Sequence, residues 1–197
     1  RLYVVIFTAV RQDADANLFA GDGAGGSYDP VTRSACYNIF MGCNAGKCIT
    51  SGNHNNFLGR YAGYYNTTGC SNNFFGRSAG FSNTTGSCNN MIGLGAGECA
   101  TVTGSHNNFL GTYAGKCASG SGCHNNFFGS CAGYCNTTGS YNNFFGVVAG
   151  RNNTTGTDNI FLGRGAGQNN TTGNRNIIMM RGAGQNNTTG SCNIFLG

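Results

Sequence analysis

Apolar and polar positions recur along this chain in one fixed unit of 17 or 18 residues. The period is too long for a helix face and is broken too often for a plain alternating strand. One copy reads Asn55-Asn56-Phe57-Leu58-Gly59-Arg60-Tyr61-Ala62-Gly63-Tyr64-Tyr65-Asn66-Thr67-Thr68-Gly69-Cys70-Ser71, and the next restarts at Asn72. Each unit carries two adjacent apolar residues closed by Gly, an Ala-Gly step four residues on, and then Asn-Thr-Thr-Gly. Frequent Gly, Asn and Thr leave no run able to nucleate a helix. The unit instead predicts a short strand at Asn-Asn-Phe-Leu, a Gly bend, a second short strand through Ala-Gly and a turn at Asn-Thr-Thr-Gly. A single unit cannot bury its few apolar side chains, whereas stacked units join them into one column. The expected fold is therefore all-β, a parallel β-solenoid or β-roll of about ten coils. At a rung spacing of about 4.8 Å it would rise roughly 48 Å.

In register, the units resolve into columns. The first column is Asn without exception: Asn38, Asn55, Asn72, Asn89, Asn107, Asn125, Asn142, Asn159, Asn176 and Asn193. Such a column predicts a side-chain amide ladder. The next position is Asn in six units and Ile at Ile39, Ile160, Ile177 and Ile194, which suggests a covered surface toward the C-terminal end. Two apolar columns follow side by side. Because strand side chains alternate, either the chain bends between them or one column faces inward and the other faces a partner. Met179-Met180 stands where other units have apolar-Gly, and Met is expected there only if the backbone avoids positive φ.

The organisation follows from the repeat. Residues 1–17 lie outside it, 18–35 form a degenerate first unit and connector, and 36–197 form the solenoid. The N-terminal segment holds the one continuous apolar run, Arg1 to Val10, whose β-branched and aromatic content reads as a strand. Its residues Leu2, Tyr3, Val4, Val5, Ile6, Phe7 and Val10 suit addition to the open edge of a neighbouring copy. The run has no evident cleavage site, and no stretch is long and apolar enough for a membrane-spanning helix.

Composition narrows the chemistry. The 197 residues include 35 Gly, one Pro, no Trp and 9% charged residues, with a net charge of +5 scattered along the units rather than gathered in a nucleic-acid patch. Eleven cysteines, Cys36, Cys43, Cys48, Cys70, Cys88, Cys99, Cys117, Cys123, Cys131, Cys135 and Cys192, point to an oxidising compartment and disulfide staples. Stacked pairs such as Cys70 with Cys88 or Cys117 with Cys135 compete with loop-closing pairs such as Cys117 with Cys123, Cys43 with Cys48 and Cys131 with Cys135. Sequons at Asn66, Asn83, Asn136, Asn152, Asn153, Asn169, Asn170, Asn186 and Asn187 place N-glycan acceptors on the outer turn of a secreted chain.

No catalytic set emerges. His54, His106 and His124 share a column that elsewhere holds Ser, Cys, Tyr, Asp and Arg, the variety of a solvated rim. Cysteine spacings match no strong zinc pattern, and six acidic residues supply few general bases. No catalytic residue, metal site or cofactor is expected, and the chain is read as a non-enzyme. Tyr61, Tyr64, Tyr65, Tyr113, Tyr134 and Phe81 lie between bend and turn, where an aromatic stripe can grip a polysaccharide or shield the solenoid edge.

Over residues 36–197 the unit, with Phe57-Leu58-Gly59 and Ala62-Gly63 as its clearest copy, resembles repeats of bacterial and phage surface-fibre (tail-fibre-like) proteins. More distantly it is similar to the β-roll heads of trimeric autotransporter adhesins. That resemblance implies an extracellular, adhesive or structural fibre on a cell or virion surface, often trimeric and without enzymatic activity. This unit is longer and richer in cysteine than theirs. The functional expectation is a filament subunit that joins copies of itself head to tail, through end-to-end β-stacking or strand complementation. The alternative is an adhesin or receptor-binding shaft recognising cell-surface glycans. Neither nucleic acid nor membrane insertion enters either reading.

Overall fold

The computed structural model describes residues 10–29, 34–99, 103–118 and 120–197. Leu2, Tyr3, Val4, Val5, Ile6 and Phe7 of the assembly segment lie outside the described residues, and Val10 is exposed. Among the described residues twelve short strands follow one another: β1 Arg11–Gln12, β2 Leu18–Ala20, β3 Ile39–Met41, β4 Asn56–Leu58, β5 Asn73–Phe75 and β6 Asn90–Ile92. Then come β7 Asn108–Leu110, β8 Asn126–Phe128, β9 Asn143–Phe145, β10 Ile160–Leu162, β11 Ile177–Met179 and β12 Ile194–Phe195. They form one sheet in sequence order, parallel from β2 to β12 and in strict register, so that Phe57 pairs Phe74 and Leu58 pairs Phe75. The chain is an all-β parallel β-solenoid. Its N-terminal end carries an antiparallel pair, Arg11 opposite Phe19 and Gln12 opposite Leu18, outside the repeat.

Of the two adjacent apolar columns, the first points into the coil and the second points out. Phe40, Phe57, Phe74, Phe109, Phe127, Phe144 and Phe161 are wholly or almost wholly buried, while Leu58, Phe75 and Phe145 remain 36–40% exposed. The alternative of a bend between them does not occur, since both belong to one strand and alternate across it. Inside, successive Phe rings stack at the rung spacing, 4.8 Å from Phe57 to Phe74 and 4.7 Å from Phe144 to Phe161. The Ala-Gly step closes this core. Ala62 is fully buried, and a Cβ on Gly63 would lie 2.5 Å from the Phe57 ring, so only glycine lets the backbone cross the ring face.

Among the described residues the second predicted strand is absent. After each bend the chain runs through turns, because the residue before Ala and the glycine after it both take left-handed φ, 61° at Tyr61 and 58° at Gly63. Coil-to-coil bonding continues there without a strand: Gly63 N–H donates to Ala79 O, and Tyr65 N–H to Phe81 O, both at 2.9 Å. The left-handed column includes Val148 at φ 53°, unusual for a β-branched side chain. Met180 also departs from expectation. Its φ is positive, but at 84° rather than the 136° of Gly163 one coil earlier, which moves it toward the left-handed region that a side chain can enter.

Candidate functional site

Because the coils are equivalent, chemistry here is distributed over faces rather than gathered in a cleft. The interior face belongs to amides. Asn55 N–H donates to Asn38 Oδ1 at 2.9 Å, and Asn55 Nδ2 donates to Gly69 O at 2.9 Å. Each such Asn therefore ties its strand to the coil below and to the turn of its own coil. The same pattern runs through Asn72, Asn89, Asn107, Asn125, Asn142, Asn159 and Asn176, all buried, while the half-buried Asn193 keeps only its bonds to Asn176 Oδ1. These donors and acceptors are consumed by the fold and are not presented to a ligand.

The sequon column turns inward as well. Asn66, Asn83, Asn136, Asn153 and Asn170 are buried. Asn66 Nδ2 donates to Gly69 O at 2.9 Å, and Asn83 Nδ2 to Asn66 Oδ1 at 2.6 Å and Gly86 O at 3.0 Å. The nitrogen that would carry a glycan is thus committed inside the coil, which corrects the outer-turn placement of these acceptors. Asn187, half-buried, makes the same bonds, to Asn170 Oδ1 and Gly190 O. One step earlier, Asn152 and Asn169 are half-buried and joined to each other at 2.9 Å, while Asn186 is exposed. The outward residues of the turn are the threonines, with Thr68, Thr85 and Thr138 exposed. Among the described residues one buried side-chain polar atom lacks a partner, Asn83 Oδ1; in sequence the next unit has Ala100 in place of this Asn.

No disulfide forms. All eleven cysteines, Cys36, Cys43, Cys48, Cys70, Cys88, Cys99, Cys117, Cys123, Cys131, Cys135 and Cys192, are free thiols, so the staple reading is wrong. In-register rungs hold parallel side chains about 4.8 Å apart at Cβ, beyond the 3.5–4.5 Å that a disulfide takes. Cys70 and Cys88 occupy neighbouring columns rather than one: Cys70 N–H meets Ser87 Oγ, and Cys88 N–H meets Cys70 O. Burial, with the neighbouring Cys117 and Glu98 adding to it, raises the Cys99 thiol pKa, and burial with Cys117 raises that of Cys135. Burial also raises Cys48, against the pull of Lys47. These thiols are held protonated, unsuited to nucleophilic or metal-binding roles. The argument from cysteine content to an oxidising compartment loses its basis.

The remaining columns line the outside. His106, His124 and Tyr141 stack with ring centroids 4.9 and 5.0 Å apart and nearly parallel, as do Tyr37 and His54 at 5.0 Å. Among the described residues, no group of three or more His, Cys, Asp or Glu side chains converges on a metal position. On another face Tyr64 stacks on Phe81 at 5.2 Å, with Tyr61 and Tyr65 set edgewise against them and Lys47 over the Tyr64 ring. Tyr113 stands apart from this cluster beneath Lys116, which also pairs with Glu98 at 3.1 Å. A shallow groove near the C-terminal end is lined by Arg164, Arg181, Gln168 and Gln185. No helix among the described residues is long and apolar enough to cross a membrane.

The N-terminal end holds a feature that the repeat pattern did not reveal. Where every later Asn donates its N–H to the preceding coil's Asn Oδ1, Asn17 donates to Asp13, its N–H at 2.8 Å and its Nδ2 at 3.0 Å. Tyr28 OH donates to Asp15 beside it. Burial, together with its hydrogen bonding to Asp15 and Asp13, drives the Tyr28 pKa upward.

No family model matches the chain, and neither the curated proteins nor the solved structures compared with it give a match.

Proposed function

We propose that this chain is a structural subunit of an extracellular filament or surface fibre, a rigid shaft that catalyses no reaction and assembles with copies of itself. The observation carrying this reading is the unbroken register from β2 to β12, which commits the polar interior to holding one coil on the next. A fold spent this way builds length and periodic surface. The resemblance of the unit to surface-fibre repeats supports an extracellular setting. Head-to-tail joining is part of the proposal. Since β1 occupies the edge of β2, the next copy must add to β1 or displace it.

Electron microscopy of the purified chain tests the reading. Rods or filaments are expected, with a subunit repeat of about 48 Å. Removing residues 1–10 is expected to abolish polymerisation. Compact particles without rods would overturn the shaft, and filaments unchanged by the deletion would overturn the joining mechanism.

The aromatic cluster of Tyr61, Tyr64, Tyr65 and Phe81 favours a second reading, a shaft whose side grips cell-surface glycans, since ring faces and edges of this kind pack against sugar rings. A glycan-array signal abolished by Tyr61→Ala with Tyr64→Ala, and little changed by Tyr113→Ala, would select it. No signal from the intact chain would reject it.

A further inference from the structure

The outer face of the sheet is the feature that the shaft alone does not explain. Two columns point outward from it, and none of their positions carries a charge in any coil, although the chain has 17 charged residues and the column just beyond the bend includes Arg60, Arg77, Arg164 and Arg181. One column is apolar throughout β3 to β11, running in its central part through Leu58, Phe75, Ile92, Leu110, Phe128 and Phe145. Exposure there is 37% at Leu58, 36% at Phe75, 38% at Ile92 and 40% at Phe145. The other is Asn across the six middle coils, and these amides satisfy one another: Asn56 Nδ2 donates to Asn73 Oδ1 at 2.8 Å, and the chain of bonds continues to Asn143 at 2.7 Å. A polar column already bonded along its length costs little to dehydrate. A continuous apolar strip this long is rare on the surface of a monomer.

We infer that this face pairs with the same face of a second copy of the chain, through a two-fold axis running along the strands. Only a partner with the same rung spacing can set a side chain into every step of the strip. Face-to-face pairing of two identical sheets allows two axis directions. An axis along the solenoid reverses the strands and lays the apolar column of one copy over the Asn column of the other. An axis along the strands reverses the coil order and keeps each column over itself. The sequence fits the second. The Asn column begins Leu18, Ile39, holds Asn for six coils, and continues as Ile160, Ile177 and Ile194, the last of which extends one coil beyond the overlap. Reversal about the point midway between Asn90 and Asn108 therefore sets Asn over Asn, Ile39 over Ile160 and Leu18 over Ile177. A strip about 48 Å long and roughly 12 Å wide would bury on the order of 1,200 Å² over both copies, at the lower edge of stable specific interfaces.

This pairing rests on the shaft reading, and one experiment separates their failures. Mass per length of the rods, read by dark-field electron microscopy in reducing buffer, is expected to give two chains of 20.4 kDa per about 48 Å. Leu58→Glu, at an exposed position, is expected to keep the wild-type circular dichroism and melting profile while halving that mass. The two-fold sets Leu58 opposite Phe145 of the second copy. Adding Phe145→Lys to Leu58→Glu should then restore paired rods, with at least a tenfold tighter dimer than Leu58→Glu alone. Single-chain rods from the wild type would overturn the pairing and leave the shaft intact, and three chains per length would also overturn it. Restoration only on mixing Leu58→Glu chains with Leu58→Lys chains would overturn the two-fold. Absence of rods of any width would instead remove the shaft reading.

Discussion

At the scale of single residues, the buried amides decide what the chain tolerates. Removing the side chain of Asn72 deletes its bond to Gly86 O and the acceptor for Asn89 N–H, leaving a buried backbone donor without a partner. Asn72→Ala is expected to cost about 2–3 kcal/mol, read as a shift of the denaturant midpoint. Asn72→Asp should cost more at neutral pH, because it trades the donor to Gly86 O for a buried charge. Asp13 does the reverse job at the N-terminal end, where an acceptor-only group suits the two donors of Asn17. Burial works to raise its pKa, but the bonds accepted from Asn17, Tyr28 and Asp15 outweigh it and hold the carboxyl below 3.8. A folded-state pKa below the unfolded one stabilises at higher pH, and that contribution disappears as pH falls through the folded value. Amide exchange in the first coil, at Leu18, is therefore expected to accelerate selectively below pH 3.8. Asp13→Ala should show that faster exchange already at pH 7. The amide ladder was legible in the sequence because its column never varies. The inward turn of Asn66 and its equivalents was not, since a sequon reads the same whether its amide faces solvent or the coil interior.

Within one coil, backbone geometry limits substitution more tightly than side-chain chemistry does. A Cβ on Gly59, at φ 138°, would lie 2.5 Å from Gly76 O of the next coil, so Gly59→Ala must force two rungs apart. It is expected to lower the melting temperature sharply. Met180→Gly should change it little, because φ there has already shifted to 84°. Val148 tests the other left-handed column. At φ 53° its branched side chain is strained where other coils place Gly95 or Gly165, so Val148→Gly is expected to stabilise, by about 0.5–1 kcal/mol in denaturant unfolding. The short strands could be read from the apolar pair and its closing glycine. The left-handed positions could not, because Tyr61, Ser78, Cys131 and Val148 share no chemical preference and are held in place by bonds such as Tyr61 N–H to Cys43 O. For the same reason the second predicted strand is replaced by turns. Its residues look extended in sequence, and only the stacked coil imposes the reversals.

Over the whole molecule, stability is a sum along one dimension. Strands touch only their neighbours in the stack, so a defect can propagate only from coil to coil. Of the two buried amide columns, that of Asn55 is continuous, whereas that of Asn66 is divided: it joins Asn66 to Asn83, resumes at Asn136, and leaves Asn83 Oδ1 unpaired at the boundary. Ala100 and Ala118 occupy the intervening positions, in the two units that are one residue longer. That boundary is where the rod should separate into two cooperative blocks. Phe144 lies well inside the C-terminal block, fully buried and stacked on Phe127 and Phe161. Phe144→Ala is expected to cost that block about 3–5 kcal/mol. Hydrogen exchange should then show protection falling across residues 125–197 while residues 38–90 keep wild-type protection. Equal loss at both ends would mean that the continuous Asn55 ladder and the outer Asn column couple all coils into one unit despite the interrupted column and the break in the Phe stack at Met91. A selective loss would mean that the shaft can open over part of its length while the remaining coils hold their register.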